Sequence, residues 1–336
     1  MISVATAGLN PTGTVLVAGG AGMAGTAIVE ALLRHRPEGR VRATCRVTPP
    51  GIADERVEHV TLDLLDKGAV TAALSGCEAA VLAAAEGGGI RALADEPWRQ
   101  VGPNLILAST WLEALHEAGV RRALLVGSAT CYQPFEGIIR EDQLDWNQDP
   151  SPEAFGVGWV ARCTEKLCEF WGRAAGLDIV RVRAGNIYGP RARFDPARSN
   201  FIPALIRKAD DLASSHPRTL EVWGGPDVTR DVIYSRDFGD AVARLLDAPH
   251  VGGRVFNVGS GRPVRVADVV KALLRLTDNE DVEVMYTAAG PSSARSRVLN
   301  CDAIFRELGW APQTTLEDGL RETLRWWRAN RTTWAK

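Results

Sequence analysis

The chain has very little lysine: five residues among its 39 basic side chains, the rest being arginine. None of the five stands four places after a tyrosine. The four tyrosines, Tyr132, Tyr188, Tyr234 and Tyr286, are followed at that distance by Glu136, Ala192, Phe238 and Gly290. A phenol tuned by an ammonium group one helical turn away is therefore not available as a proton carrier. No Gly-Lys-Ser/Thr occurs either, which excludes a P-loop. The six cysteines, Cys45, Cys77, Cys131, Cys163, Cys168 and Cys301, show no CxxC and no interleaved histidines. They read as reduced thiols of a cytoplasmic protein, with no disulfide and no metal site. A net charge of -2 offers nucleic acid no footing, and the scattered arginines, matched by acids, read as solvated surface with a few functional exceptions. No apolar run reaches the length of a membrane span and no basic-then-apolar leader opens the chain, so no membrane contact is expected and residues 1–12 read as a loose leader. There is no internal repeat.

What is present is concentrated in TVLVAGGAGMAG, from Thr14 to Gly25. An apolar run breaks into glycines and restarts with helical spacing, which predicts a strand, a tight turn and a helix N-terminus. Gly19 permits the sharp turn, Gly22 lets backbone N–H groups approach a pyrophosphate, and Gly25 lets the helix pack closely on the sheet. A dinucleotide is the expected guest. At the end of the second strand, where an NAD-preferring protein usually carries an acid for the ribose 2′-OH, stand Thr44 and then Arg46. An arginine there favours the 2′-phosphate of NADP, with NAD as the alternative.

Apolar strands at Val15–Ala18, Val41–Cys45, Val57–Leu62, Ala79–Ala84, Ala123–Val126 and Ile179–Val182 alternate with helical patterns near 23–35, 67–75, 100–118 and 159–175. That alternation predicts an α/β fold, a doubly wound parallel sheet. Leu105, Ala108, Leu112 and Leu115 fall on one stripe, either core or a subunit interface that needs burial beyond the sheet. After Gly185 the rhythm loosens, with helical patterns near 202–213, 236–247, 266–276, 302–308 and 316–328. The expected organisation is a Rossmann domain over 13–185 and a smaller C-terminal α/β substrate lobe over 186–336, segments near 231–260 returning to the Rossmann domain.

The order of the glycine loop, Asp63-Leu64-Leu65-Asp66, LAAAEGGG at 82–89, Asn104, GSATCY at 127–132 and NIYGPR at 186–191 resembles that of the extended short-chain dehydrogenases/reductases, the NAD-dependent epimerase/dehydratase family. Within it the chain is most similar to the GDP-L-fucose synthases, from about residue 13 to 330, through KLCE (166–169), NIYGPRARFDPARSNFIPALIRK (186–208), VWGG (222–225), Arg230-Asp231 and LGW (308–310). The resemblance implies a homodimer built on the helices near 100–118 and 159–175. It also implies cofactor contacts at Gly19, Gly22, Met23, Ala24, Gly25, Arg46, Asp63, Leu64, Ala83, Ala84, Ala85, Asn104, Ser128 and Asn186. A nucleotide-diphosphate sugar would be met by Asn186, Arg191, Asn200, Arg207, Trp223, Arg230 and Arg297, where arginine suits a diphosphate and tryptophan a base.

Carried over residue by residue, the family's catalytic Ser falls on Ser128, but its Tyr falls on Val157, its Lys on Ala161, its epimerising Cys on Thr130 and its general-acid His on Asn200. Lys166, Arg162 and Cys131 are offset around their elements and cannot stand in. Glu165 lies on nearly the same face as Ala161, one turn on. The candidates for catalysis are thus Ser128, Thr130 and Tyr132. The expectation is an NAD(P)-binding epimerase/reductase-like enzyme with a non-standard site; a non-redox dehydratase or cyclase, or a silent NAD(P) sensor, stand as alternatives.

Overall fold

The computed structural model describes residues 8–196, 198–212, 218–287 and 296–334. The first half of the chain runs β1 (Thr14–Ala18), α1 (Met23–His35), β2 (Arg40–Cys45), β3 (Val57–Thr61), α2 (Lys67–Leu74), β4 (Ala79–Leu82), α3 (Ile90–Asp95), α4 (Gly102–Glu117), β5 (Arg122–Ser128), β6 (Gly137–Ile139), α5 (Phe155–Ala175) and β7 (Asp178–Ala184). The second half runs β8 (Asn186–Tyr188), α6 (Phe201–Asp211), β9 (Thr219–Trp223), β10 (Thr229–Arg230), β11 (Val232–Tyr234), α7 (Ser235–Asp247), β12 (Val255–Val258), β13 (Val264–Arg265), α8 (Val266–Leu276), β14 (Glu283–Thr287), β15 (Ser296–Leu299), α9 (Asp302–Leu308) and α10 (Leu316–Trp334).

Seven strands form one sheet in the order β12-β7-β5-β4-β1-β2-β3, every pair parallel. The expected doubly wound fold is thus present. Along β1, Val15 and Val17 face a core shared with α1, α7 and α9, while Leu16 and Ala18 face one shared with α2, α4 and α5. Burial on both faces is why these strands read as unbroken apolar runs instead of alternating ones. Strand order reverses between β1 and β4, which opens a crevice at the carboxyl ends of those strands.

A third core gathers α6, α8 and α10 against β9, β11 and β14. Buried Asp231 ties this lobe to the sheet, its carboxylate accepting from the N–H groups of Ser260, Gly261 and Leu299 and from the Ser260 hydroxyl. α7 packs on α1, and β12 completes the sheet edge beside β7.

One expectation changes. Ala108, Leu112 and Leu115 are fully buried against the chain's own sheet, so that stripe needs no second subunit. The apolar side chains left outside on α4 and α5 are instead Ile106 (54% exposed), Phe155, Trp159 (39%) and Phe170 (58%). Of the leader, residues 1–7 lie outside the described residues, whereas Asn10 is held by Glu78 and by the buried Arg36. Among the described residues no helix is long and apolar enough to cross a membrane.

Candidate active site

The β1–α1 turn treats its three glycines differently. Gly19 sits at φ 80°, where a side chain is strained, and its N–H donates to Thr44 Oγ1 at 3.0 Å. A Cβ on Gly25 would collide with the Gly19 carbonyl oxygen. Gly22 is different: a Cβ there would have Gly19 O at 3.4 Å and nothing nearer. Gly22 is also the N-cap of α1 and supplies no side-chain cap, so the first-turn N–H groups around Met23, Ala24 and Gly25 are left for an anion. This cradle fits a pyrophosphate.

Beyond it, Arg46 follows β2 and Asp63 follows β3, their charged ends 3.8 Å apart and the guanidinium 61% exposed. Leu64 beside them is half-buried. After β4, the Ala83–Ala85 exit is pinned by Asn104, whose amide accepts from Glu86 N–H (2.8 Å) and donates to Glu86 O (2.9 Å) and Gln100 O (2.6 Å). Ser128 ends β5. Its Oγ accepts from both the N–H (3.2 Å) and the hydroxyl (3.0 Å) of Thr130, which leaves the Ser128 proton to donate elsewhere.

Between α4, α5 and the sheet lies a cavity of about 120 Å³ lined by Ala84, Ala85, Asn104, Gly127, Val157, Ala161, Thr164, Glu165 and Arg181 among others. It adjoins the crevice at the positions where the resemblance places Tyr and Lys.

A family model described as the NAD dependent epimerase/dehydratase family matches residues 15–259. The chain belongs to this family. It is 29% identical over 317 residues to a GDP-L-fucose synthase of Sinorhizobium fredii (strain NBRC 101917 / NGR234), covering 92% of this chain and 93% of that one. It is 27% identical over 335 residues to the GDP-L-fucose synthase of Escherichia coli (strain K12), covering 94% and 97%. Among solved structures it matches DesIV, the dTDP-glucose 4,6-dehydratase of Streptomyces venezuelae with NAD and TYD bound, at a TM-score of 0.81 and 26% identity over 96% of this chain and 98% of that one.

Within this epimerase/dehydratase frame the structure separates the predicted residues. Tyr132 leaves the catalytic set: it is 2% exposed, donates to Asn257 Oδ1 at 2.7 Å and accepts from Arg183 at 2.9 Å, and burial pushes its phenol up. Cys131 is fully buried, its thiol pushed up to about 12 by the same desolvation. Glu165 reaches the cavity wall, but Arg183 donates to both its oxygens at 2.8 Å, so both oxygens are engaged as acceptors. Arg181 is likewise on that wall, donating to Gly253 O and Glu169. Sequence reasoning passed over these two arginines; their signal was two charges, two residues apart, inside the apolar strand 178–184, hence on one face.

In the lobe, Asn186 donates to Asp231 O at 2.9 Å and is exposed, as is Asn200 ahead of α6. Arg207 braces the lobe core, donating to Phe194 O at 3.0 Å beside Trp327 and Asp211. Trp223 is partly exposed, with Lys208 and Arg91 over its ring. Arg230 and Arg297 stand side by side in register on β10 and β15. Arg297 donates to Ser151 and to Glu153, and burial together with the adjacent Arg297 lowers Arg230 to about 10. Two guanidiniums thus share the neighbourhood of one carboxylate, Glu153. Arg191 does not join them: it reaches back to the glycine turn, donating to Ala21 O at 3.0 Å and to Pro49 O.

Proposed function

We propose that this chain is an NAD(P)-dependent enzyme of the epimerase, dehydratase or reductase type that acts on a nucleotide-diphosphate sugar with a proton path that bypasses residues 157 and 161. The observation that carries this reading is an intact pyrophosphate cradle next to a cavity walled by Val157 and Ala161, neither of which holds a proton. The dinucleotide, when bound, would supply hydride transfer. Gly19, Gly22 and Gly25 shape its seat, with Met23 and Ala24 N–H groups at the helix end, Asp63 and Leu64 at the adenine, and Ala83, Ala84, Ala85 and Asn104 setting the crevice edge. Ser128 donates to a substrate oxygen, its own acceptor sites being occupied by Thr130. Arg230 and Arg297 receive the diphosphate, Trp223 offers a stacking face, and Asn186 and Asn200 border the sugar. Positioning and oriented dipoles supply much of the rate where the usual carrier is missing.

The test is mass spectrometry of small molecules released from the purified protein, before and after incubation with candidate nucleotide sugars. A released dinucleotide that exchanges between oxidised and reduced forms on turnover supports the reading; one that never changes redox state favours the non-redox or sensor alternative.

Arg46 carries the NADP preference. Charge-assisted hydrogen bonds of roughly 1.5–3 kcal/mol to a 2′-phosphate correspond to about ten- to a hundred-fold in affinity. Arg46→Ala is expected to weaken NADP by that factor and to leave NAD nearly unchanged in a calorimetric titration; equal loss for both removes the preference.

We also place a homodimer contact on the outer faces of α4 and α5, where Ile106, Trp159 and Phe170 leave apolar surface in water. Light scattering at micromolar concentration is expected to give twice the 36.2 kDa chain mass. A monomer refutes it.

A further inference from the structure

Arg191 follows Gly189-Pro190 with its own backbone at φ 64°, a conformation that disfavours any residue carrying a Cβ and persists where surrounding contacts hold it. The contacts that hold it belong to three separate segments. Its Nε donates to Ala21 O, inside the β1–α1 turn, and an Nη donates to Pro49 O, in the segment leaving β2. Those two carbonyls belong to the segments that follow the adjacent strands β1 and β2. From the third side the Trp334 ring covers the guanidinium at 4.9 Å, and Trp334 is itself seated edge-on against Trp326 at 5.0 Å. Both tryptophans belong to α10, the last helix. Gly51 closes the far side so tightly that a Cβ there would meet the Arg191 Nη1.

The charge is as informative as the placement. Arg122, Arg181 and Arg183 are desolvated guanidiniums too, and each meets a carboxylate at 2.7, 2.9 and 2.8 Å respectively. Arg191 is half-buried, burial lowers its pKa, and its described hydrogen-bond partners are neutral carbonyls. A half-buried cation that has no carboxylate in ion-pair range among the described residues, Glu30 acting on it only at longer range, and that is set beside the uncapped N-terminus of α1, is a site arranged for an anion brought by the ligand.

We propose that Arg191 is a strap across the dinucleotide crevice that faces the pyrophosphate, and that α10, through Trp334, holds the strap closed and so sets how long the dinucleotide stays bound. This rests on the dinucleotide reading above. It moves Arg191 from the nucleotide-sugar site to the cofactor site, and it gives the C-terminal helix a role in cofactor retention.

The experiment compares the full-length wild type with Arg191→Ala, Arg191→Lys and Trp334→Ala. Calorimetry gives dissociation constants for NAD, NADP and GDP, stopped-flow chase gives dinucleotide dissociation rates, and circular dichroism of the ligand-free variants checks the fold. Loss of one charge-assisted contact predicts about a tenfold or greater weakening of NAD and NADP alike in Arg191→Ala, mostly as faster dissociation. Arg191→Lys retains part of the affinity. Trp334→Ala, on the outer end of the last helix, speeds dissociation severalfold with Arg191 intact, and GDP binding stays as in wild type. Dinucleotide affinities within twofold of wild type in a folded Arg191→Ala overturn the strap. So does a loss confined to NADP, which would put Arg191 at the 2′-phosphate, or an equal loss of GDP, which would return it to the substrate. A wild type that binds no dinucleotide overturns the proposed function itself, before any variant is compared.

Discussion

Gly22→Val is expected to abolish dinucleotide binding in a protein that still folds. The two halves of that expectation come from one geometry. A Cβ at position 22 has only the Gly19 carbonyl oxygen near it, at 3.4 Å, and the backbone there is extended (φ -77°, ψ 174°), so valine fits the ligand-free chain without strain. The same Cβ and its two methyls stand in front of the α1 first-turn N–H groups, the donors a pyrophosphate needs. A calorimetric titration of NAD and NADP is expected to show at least about a hundredfold weakening, the scale of losing two charge-assisted hydrogen bonds. Thermal unfolding is expected to stay close to wild type. Gly25→Ala makes the contrast, because its Cβ would drive into the Gly19 carbonyl and break the turn before any ligand arrives. Unchanged affinity in a folded Gly22→Val would sink the cradle assignment.

Purified protein incubated with GDP-4-keto-6-deoxymannose and NADPH is expected to form no GDP-fucose at a rate typical of the GDP-L-fucose synthases it resembles. Val157 and Ala161 can neither carry nor tune a proton, and Thr130 and Asn200 cannot perform the acid–base exchange that the family assigns to Cys and His. Each missing general acid or base ordinarily accounts for ~10²–10⁴-fold in rate. Neighbours do not replace them: the Cys131 thiol is buried, the Tyr132 phenol is locked between Arg183 and Asn257, and both Glu165 oxygens are engaged by Arg183. Ser128→Ala is expected to slow whatever reaction the protein performs on its own substrate, since that hydroxyl has Thr130 behind it and a free proton in front. Robust fucose formation, or full native activity in Ser128→Ala, would show that the active site has been misplaced.

The sequence by itself determined the sheet, the glycine turn and the family. Those features are local: a strand covered on both faces writes itself as an apolar run, and a turn that needs φ 80° at residue 19 and no Cβ at residue 25 writes itself as glycine. Left to the three-dimensional arrangement was every property that depends on which neighbour a side chain meets. Spacing could put Leu112 and Leu115 on a stripe, but whether sheet or solvent lay opposite followed from how α4 packs. Arg181 and Arg183 carried no reading in the sequence, and only the packing of α5 brings Glu169 and Glu165 over them. Arg191 stood in a lobe motif in the sequence, and its reach to Ala21 and Trp334 joins residues about 170 and 140 positions away, a pairing no local period encodes. Burial and charge pairing are set by contacts between distant segments, so they became visible only when the chain was closed.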